Sequence, residues 1–427
     1  MKIVEGGVTA PKGFLVSSCA AGIKYEDHPD MALIYSETPC DYAGTFTSNV
    51  AKAAPVKYDM ALLKKEARIS AVVVNTGIAN ASCGEDGMKI CDETGRKVKE
   101  ALSLPDDSVL VASTGVIGQK IDIEKIKNGI DIMKGSLERG SEAALKAARA
   151  ILTTDTHEKE VAVSFEIDGK EVTIGAMTKG SGMIHPNMCT MLSFITTDVD
   201  MERQLLQKAL LTCVQKSFNM ISVDGDTSTN DSCFLLSNGL SENKRITGEN
   251  EEGYKIFLSA LSVVTKFLAM SMAQDGEGAT KLMECRVINA QSYDDAVTLS
   301  KSVICSNLTK AAVFGNDANW GRIMCAMGYS GVSFDPDHTD IYILSGAGPK
   351  EELSSEAQGK DYSYELPGYI LVRDGVATDY SEEKATKILS GKHVIIVCDM
   401  KAGHEEARAF GCDLTYDYVK INGDYRS

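Results

Sequence analysis

The stretch Lys-Gly-Ser-Gly-Met-Ile-His-Pro-Asn-Met-Cys-Thr-Met-Leu-Ser-Phe-Ile-Thr-Thr-Asp-Val-Asp, from Lys179 to Asp200, places a glycine turn before an uncharged apolar run. Residues 190–197 are rich in β-branched and large apolar side chains, which predicts a buried strand that begins at or just after Cys189. A threonine hydroxyl, that of Thr190, then lies at the very start of a strand. From this pattern alone, an ordinary strand threonine is the simpler interpretation.

Thr190 has a second interpretation, because a threonine at a chain's N-terminus carries nucleophile and base in one residue. Its Oγ attacks while its own α-amine accepts the proton. An internal Thr190 gains that amine only if Oγ attacks the Cys189 carbonyl, an N-to-O acyl shift gives an ester, and water resolves the ester. This hypothesis divides the chain into fragments 1–189 and 190–427.

The residues before this stretch alternate between strand and helix patterns. Residues 161–167 and 172–174 alternate apolar and polar side chains around Asp168-Gly169, which predicts a β-hairpin leading to Lys179. The other elements predicted here are strands at Met31–Ser36, Ile69–Asn75 and Val109–Ser113, and helices at Met88–Leu102, 123–133 and from Ser141, as its cap, to about Ile151.

The residues after it continue the alternation. The pattern predicts an amphipathic helix over 205–214, a long helix over Tyr254–Gln274, and short strands near Cys285–Asn289, Ala311–Phe314, Asp340–Leu344, Tyr369–Val372, Val394–Cys398 and Tyr416–Ile421. This order favours a mixed α/β or α+β chain over one parallel doubly wound sheet. With 427 residues, 44% of them hydrophobic, we expect two or more lobes, a smaller C-terminal one covering about 288–427.

Composition excludes several classes of function. The formal net charge of -16 argues against binding nucleic acid or an anionic membrane. The N-terminal residues lack the apolar segment of a secretory signal, and the apolar run 256–273 is interrupted by Lys266, so it is interpreted as a buried helix. We therefore expect a cytoplasmic protein.

Metal and phosphate sites are not indicated by the sequence. The 12 cysteines and six histidines are dispersed, without Cys-x-x-Cys or zinc spacing. Asp224-Gly-Asp-Thr-Ser-Thr begins like a calcium loop, but Thr229 stands where that loop needs glycine and Leu235 where it needs glutamate. Gly180-Ser-Gly follows a hairpin instead of opening a helix, so we interpret it as slack that lets Thr190 reach the preceding carbonyl.

Seven blocks of the sequence, in order along the chain, carry a resemblance to a known family. The blocks are Gly6–Phe14, Ser113–Gly118, Lys179–Leu192, Val223–Asp231 (Val-Asp-Gly-Asp-Thr-Ser-Thr-Asn-Asp), Gly276–Lys281, Asn319–Ile323 and Ile421–Ser427. In these blocks the chain resembles the ornithine acetyltransferase family, or glutamate N-acetyltransferase family, of arginine biosynthesis.

The resemblance implies an α/β sandwich of mixed sheets and helices, akin to N-terminal nucleophile hydrolases but distinct in topology. It implies that Thr190 is freed by self-cleavage and carries an acetyl group from N2-acetylornithine to glutamate in a ping-pong reaction. The oxyanion of each step would be held by Thr114 and Gly115. The substrate-binding positions that it implies are Thr153, Lys179, Thr190, Glu277, Asn422 and Ser427.

The resemblance further implies an enzyme without a cofactor, since one amide is exchanged for another, in an assembly of two α and two β fragments. Acetyl-CoA as a second acetyl donor is left open. At position 189 this chain has cysteine where the family more often has alanine or glycine. At position 427 it has serine where the family more often has threonine, and serine keeps the hydroxyl group. Two alternatives stay open: a self-processed aminopeptidase or amidase of the related fold, in which water takes the acyl group, and a non-catalytic amino-acid-binding protein.

Overall fold

The computed structural model describes residues 1–24, 26, 28–185, 191–360 and 366–423. The chain forms two compact units. Unit 1 comprises Met1–Gly180, Pro186–Gln215 and Thr227–Leu268, and unit 2 comprises Ser181–His185, Lys216–Asp226 and Ala269–Ser427. The predicted cleavage point, Cys189 and Thr190, and the terminal Ser427 lie outside the described residues.

Strands and helices alternate along the described chain. The strands are β1 (Lys2–Val4), β2 (Phe14–Cys19), β3 (Met31–Phe46), β4 (Ile69–Asn75), β5 (Val109–Ser113), β6 (Lys159–Ile167), β7 (Lys170–Lys179), β8 (Leu192–Thr197), β9 (Ile221–Ser222), β10 (Ser232–Ser237), β11 (Leu282–Ala290), β12 (Asp340–Ser345), β13 (Tyr369–Arg373), β14 (Val376–Ala377), β15 (His393–Asp399) and β16 (Glu405–Cys412). The helices are α1 (Ala54–Lys64), α2 (Gly84–Leu102), α3 (Ile123–Met133), α4 (Ser141–Ala150), α5 (Arg203–Lys216), α6 (Glu252–Gln274), α7 (Tyr293–Cys305), α8 (Asn307–Phe314), α9 (Trp320–Gly328), α10 (Pro349–Ala357), α11 (Glu382–Leu389) and α12 (Tyr416–Gly423).

Unit 1 is built on a nine-stranded mixed sheet in the order β1-β6-β7-β8-β10-β3-β4-β5, with β2 paired to β3. Strand β8 is antiparallel to β7 and parallel to β10. Every residue of β8 is buried, as expected for an apolar run in the middle of a sheet. The predicted buried strand is thus confirmed, with its start at Leu192.

Both faces of this sheet are covered. On β3 and β4, Ile34 and Val72 face one core, which includes α4, whereas Leu33 and Val73 face another, which includes α2 and α3. Phe234 of β10 fastens the central strands together, since its ring makes edge contacts with Tyr42, Phe46 and Phe194 at centroid distances of 5.8, 6.2 and 5.7 Å. The mixed α/β class predicted from the sequence is confirmed.

Unit 2 has its own seven-stranded sheet, in the order β14-β13-β12-β15-β11-β16-β9. A single large apolar cluster packs residues of β11, β12, β15 and β16 against α7, α9 and α11. Within the described chain the cysteines are free thiols, most of them buried.

The predicted hairpin is confirmed as β6 and β7, with Asp168 and Gly169 both at positive φ (51° and 74°), as a two-residue turn of this kind requires. The long helix is confirmed as α6. Helix α6 is long and apolar enough to cross a membrane, but 67% of its most apolar stretch is buried inside the protein, as in the core helix of a globular protein.

Two predicted strands are wrong. Residues 311–314 end helix α8, which begins where the Ser306 side chain accepts a hydrogen bond from Thr309 N–H and which buries Val313 in the unit 2 core. Residues 416–421 belong to helix α12, in which each described side chain is at least partly exposed. The alternating side chains of these residues therefore do not pack in a sheet. Ser141 is also not the cap of α4: that position is Gly140, and the Ser141 hydroxyl bonds Glu5.

Candidate functional site

The turn after β5 holds Thr114 and Gly115, the pair for which the resemblance predicts an oxyanion-binding role. Thr114 N–H donates to Asn75 O at 3.1 Å, whereas Gly115 N–H and the Thr114 hydroxyl have no hydrogen-bond acceptor among the described residues. Gly115 has a φ of +129°, and a Cβ there would lie 2.2 Å from the Gly77 carbonyl carbon, so only glycine fits. Two adjacent donors are therefore uncommitted in one turn, as an oxyanion requires.

This turn is braced by the turn after β4. Ile78 and Val116 form a parallel bridge between the two turns. Ser113 Oγ lies 2.6 Å from Asn75 Oδ1, and Asn75 Nδ2 donates to Ile78 O at 2.9 Å. From the other side, Asn230 Nδ2 donates to Ala79 O at 2.6 Å and to Ser113 O at 2.8 Å. The predicted oxyanion turn, at Thr114 and Gly115, is thus fixed by side-chain amides on two sides.

The structure brings Thr153 and Lys179 together in unit 1. Lys179 Nζ, at the end of β7, lies 3.1 Å from Thr153 Oγ1, in the segment after α4. Asp155 organises this pair: it accepts hydrogen bonds from Thr153 N–H at 3.2 Å and from Gly180 N–H at 2.7 Å. A buried ion pair joins Asp155 Oδ1 to Lys159 Nζ at 2.7 Å, with both side chains fully buried.

Asp155 is ionised in this setting. Burial alone would raise its pKa, but the ammonium groups of Lys159 and Lys179, with hydrogen bonds from Lys159 and Gly180 N–H, lower the pKa of Asp155 to about 2. The carboxylate therefore stays charged at neutral pH and keeps both lysines compensated.

The start of β8 lies at the same end of the sheet as Lys179, since Lys179 pairs with Leu192 across β7 and β8. Met191, the residue after the predicted nucleophile, is buried, and its carbonyl accepts a hydrogen bond from Ser232 N–H at 3.0 Å. Register also places Asp231 beside Met191, because Ser232 pairs with Leu192. The start of β8 therefore lies between Lys179, at the end of β7, and the residues that precede β10.

In unit 2 the structure pairs Glu277 with Asn422, whose Nδ2 donates to Glu277 Oε2 at 2.7 Å. Gly182 leaves room for this carboxylate: a Cβ at Gly182 would lie 2.3 Å from the Glu277 carboxyl carbon. Glu277 N–H also donates to Ser181 O at 3.1 Å. Gly182 is therefore a close-approach glycine.

The turn at residues 181–184 is anchored and not slack as predicted. Ser181 Oγ donates to Asp275 O at 2.6 Å, and Met183 N–H and Ile184 N–H donate to the Asp224 carboxylate at 2.6 and 2.8 Å. Asp224, which begins the rejected calcium-like loop, thus receives backbone amides. Each of these hydrogen bonds restricts the turn.

One group in the described chain has the spacing of metal ligands: Glu284, Glu352 and His393, all buried in unit 2. Arg408 already neutralises two of them, since its Nε lies 2.7 Å from Glu284 Oε1 and its NH2 group 3.1 Å from Glu352 Oε1. Arg286 Nε adds a second cation, 2.5 Å from Glu284 Oε1. This is an ion-pair network, because the guanidinium groups occupy the carboxylate oxygens that a metal would need.

Sequence reasoning missed Asp155, Asn230 and Asp231. Asn230 and Asp231 end a block on which the resemblance rests, but a short polar loop gives no sign of which carbonyls its side chains reach. Asp155 lies two residues from Thr153 in a Thr-Thr-Asp-Thr run that has the composition of an ordinary turn. The contact of Asp155 with Gly180 and those of Asn230 with Ala79 and Ser113 cannot be read from spacing, because these partners are distant along the chain.

Known proteins similar to this chain agree with the motifs. The ArgJ family matches residues 15–427. The "Arginine biosynthesis bifunctional protein ArgJ" of Caldanaerobacter subterraneus subsp. tengcongensis is 46% identical over 427 residues, all of both chains. The "Glutamate N-acetyltransferase" of Methanocaldococcus jannaschii is 45% identical, again over all of both chains.

Solved structures are also similar. The crystal structure of arginine biosynthesis bifunctional protein ArgJ from Bacillus halodurans is 39% identical, with a TM-score of 0.48, and the match covers 55% of this chain and 99% of that chain. The family match and the full-length relatives cover both units and every candidate residue from Thr114 to Ser427. The chain therefore belongs to the ArgJ family.

Proposed function

We propose that this ArgJ-family chain is a self-cleaving acetyltransferase that moves the acetyl group of N2-acetyl-L-ornithine to L-glutamate. Family membership gives the reaction class, an acetyltransferase of arginine biosynthesis. The observation that carries the mechanism is the turn with two uncommitted donors, Thr114 Oγ and Gly115 N–H. It lies in the unit that also holds the strand following Thr190.

The first step in this proposal is cleavage of the Cys189–Thr190 bond. Thr190 Oγ attacks the Cys189 carbonyl, the C–N bond breaks as the nitrogen takes up a proton, and water hydrolyses the resulting ester. Cys189 contributes only its carbonyl: its thiol, with an ordinary pKa of about 8.5, has no α-amine to activate it. The products are an α fragment, 1–189, and a β fragment, 190–427.

The second step is acetyl transfer. The freed α-amine, with an ordinary pKa of about 7.7 to 8.0, is partly neutral near pH 7 and takes the proton from Thr190 Oγ. Oγ attacks the acetyl carbonyl, Thr114 and Gly115 stabilise the oxyanion, and ornithine leaves from an acetyl-enzyme. Glutamate then takes the acetyl group, with no cofactor.

Substrate binding is assigned to two residue pairs and to Ser427. The ammonium group of Lys179, oriented by Thr153, is suited to a substrate carboxylate, and Glu277, held by Asn422, is suited to a substrate ammonium group. Ser427 supplies a hydroxyl by the resemblance alone. The proposal includes an assembly of two α and two β fragments in the cytoplasm, and acetyl-CoA as an optional second donor.

The test is incubation of the purified protein with N2-acetylornithine and glutamate. Formation of both ornithine and N-acetylglutamate supports the proposal. Ornithine without N-acetylglutamate indicates instead the amidase alternative, in which water takes the acetyl group. Formation of neither product in cleaved protein supports a non-catalytic binding protein.

A further inference from the structure

The residues immediately before β10, Thr229 to Asp231, contact both parts of the proposed catalytic machinery in unit 1. They close the Val223–Asp231 block, to which the mechanism above gives no role. Asn230 and Asp231 are 7% and 2% exposed. Their two side chains reach in different directions along the sheet end.

Asn230 holds the oxyanion turn. Its Nδ2 uses both of its hydrogen atoms, on Ser113 O at 2.8 Å and on Ala79 O at 2.6 Å. Ser113 directly precedes Thr114, and Ala79 lies in the turn that braces it. Its Oδ1 accepts a hydrogen bond from the Thr229 hydroxyl at 2.6 Å, which fixes the orientation of the amide group.

Asp231 holds the start of β8. Its carboxyl accepts a hydrogen bond from Met191 N–H, and its backbone carbonyl accepts one from Thr47 N–H at 3.0 Å. Met191 N is covalently bonded to Thr190, the residue proposed as the nucleophile. Fixing Met191 N therefore restricts where the nucleophile can be.

The Asp231 carboxyl is buried and accepts several hydrogen bonds. Burial raises the pKa of Asp231 well above its usual range, and hydrogen bonds from Ser228 and Thr47 and the nearby charge of Lys179 only partly offset this effect. One oxygen, Oδ2, has no hydrogen-bond partner among the described residues. An asparagine amide has nearly the shape of this carboxyl group and retains an oxygen that can accept the backbone hydrogen bond.

We propose that Asn230 and Asp231 are positioning residues that set the distance between the oxyanion donors and Thr190, each holding one of the two partners. The inference rests on the proposed function. It adds that the oxyanion turn and the start of β8 are held by adjacent residues, directly before β10. A displacement of about 1 Å between reacting groups can cost about 100-fold in rate. Loss of either contact should therefore slow both self-cleavage and acetyl transfer.

The experiment compares Asn230→Ala and Asp231→Ala with a matched control, Asn238→Ala. Asn238 follows the other end of β10, is 6% exposed, and also donates through Nδ2 to a backbone carbonyl, Lys12 O, at 2.8 Å. Each variant is measured for urea unfolding, for the rate at which refolded precursor gives two fragments, and for kcat and KM with N2-acetylornithine. All three should lose similar stability.

We expect Asn230→Ala and Asp231→Ala to lower the cleavage rate and kcat by about 10- to 100-fold, with KM changed less than about threefold. Asn238→Ala should keep both rates near wild type. Asp231→Asn, which retains an acceptor and should fold, should recover most of both rates. Equal rates in Asn230→Ala and Asn238→Ala, or an Asp231→Asn variant as slow as Asp231→Ala, would overturn the proposal.

A Thr190→Ala variant separates this inference from the proposed function. Acetyl transfer by Thr190→Ala would refute the proposed nucleophile. If Thr190→Ala is inactive and uncleaved while Asn230→Ala behaves as the Asn238→Ala control does, the positioning role alone fails.

Discussion

Glu277 and Asn422 are hydrogen-bonded through Oε2 and Nδ2 at 2.7 Å, although 145 positions separate them in the sequence. The same carboxylate lies against Gly182, where a Cβ would be 2.3 Å from the carboxyl carbon. The Glu277 carboxylate is therefore held on one side by an amide donor and on the other by the backbone of a glycine. This packing makes the Glu277 position sensitive to one added methyl group.

Gly182→Ala should displace Glu277 and raise KM for N2-acetylornithine by about 10- to 100-fold, since a hydrogen bond to a charged group contributes about 1.5 to 3 kcal/mol. Gly328→Ala is the control in unit 2, because nothing lies within 4 Å of a Cβ at that position. Steady-state kinetics checks the result. An unchanged KM in Gly182→Ala would contradict the assignment of Glu277 to substrate binding.

Thr114→Ala should slow self-cleavage and acetyl transfer together, because in the proposed mechanism one oxyanion turn serves both carbonyls. Loss of one such donor typically costs about 100- to 1000-fold in rate, or about 2.7 to 4 kcal/mol. Gly115→Ala should be at least as damaging, whereas Gly118→Ala, also at positive φ but with open space around its Cβ, controls for backbone strain. If Thr114→Ala folds and keeps both rates, the oxyanion assignment is wrong.

Cys189→Ala should be cleaved and should transfer acetyl normally, while Thr190→Ala should stay full length and inactive. In the proposed mechanism only the Cys189 carbonyl takes part, whereas Thr190 supplies hydroxyl and amine. Denaturing electrophoresis with an acetyl-transfer assay distinguishes the two variants. A cleaved but inactive Cys189→Ala would make the cysteine the nucleophile.

Asp155→Asn should lower the free energy of unfolding at pH 7 by about 2 kcal/mol, the equivalent of a folded-state pKa reduced from 3.8 to about 2. The folded-state pKa is depressed, so this stabilisation is present above about pH 4 and is lost as pH falls towards 2. The difference between Asp155→Asn and wild type in urea unfolding should therefore shrink over this range. Asp131→Asn, which removes an exposed carboxylate paired with Lys97 and Lys134, should have a smaller effect. A pH-independent difference for Asp155→Asn would refute the assigned ionisation.

Local pattern predicted most of the fold but little of the site's geometry. The hairpin around Asp168 and Gly169 and the buried strand β8 follow from periodicity and turn chemistry, which act over a few residues. The strand predictions for residues 311–314 and 416–421 rest on the β-branched, aromatic and apolar side chains of these segments. The first segment is helical because it continues the helix that Ser306 caps, and the second lies in the exposed helix α12. Short apolar runs do not distinguish helix from strand.

The contacts around the site depend on tertiary structure. Thr153 and Lys179 were each predicted separately, but their 3.1 Å contact requires β7 to end beside the segment after α4. Asn230 was not identified, because its role depends on two carbonyls, Ser113 O and Ala79 O, that lie more than 100 residues away in the sequence. Such contacts are specified by the arrangement of strands and not by spacing.

The order of strands in the unit 1 sheet has a consequence for how the cleaved protein unfolds. Strands β8 and β10, from the proposed β fragment, lie between β1, β6 and β7 on one side and β3, β4 and β5 on the other, all from the α fragment. Among the described strands of this sheet, β8 and β10 separate the two groups of α-fragment strands. If the chain is cleaved as proposed, unfolding therefore changes from a unimolecular into a dissociative process. The melting temperature of cleaved protein should therefore rise with protein concentration, whereas that of uncleaved Thr190→Ala should depend on it less.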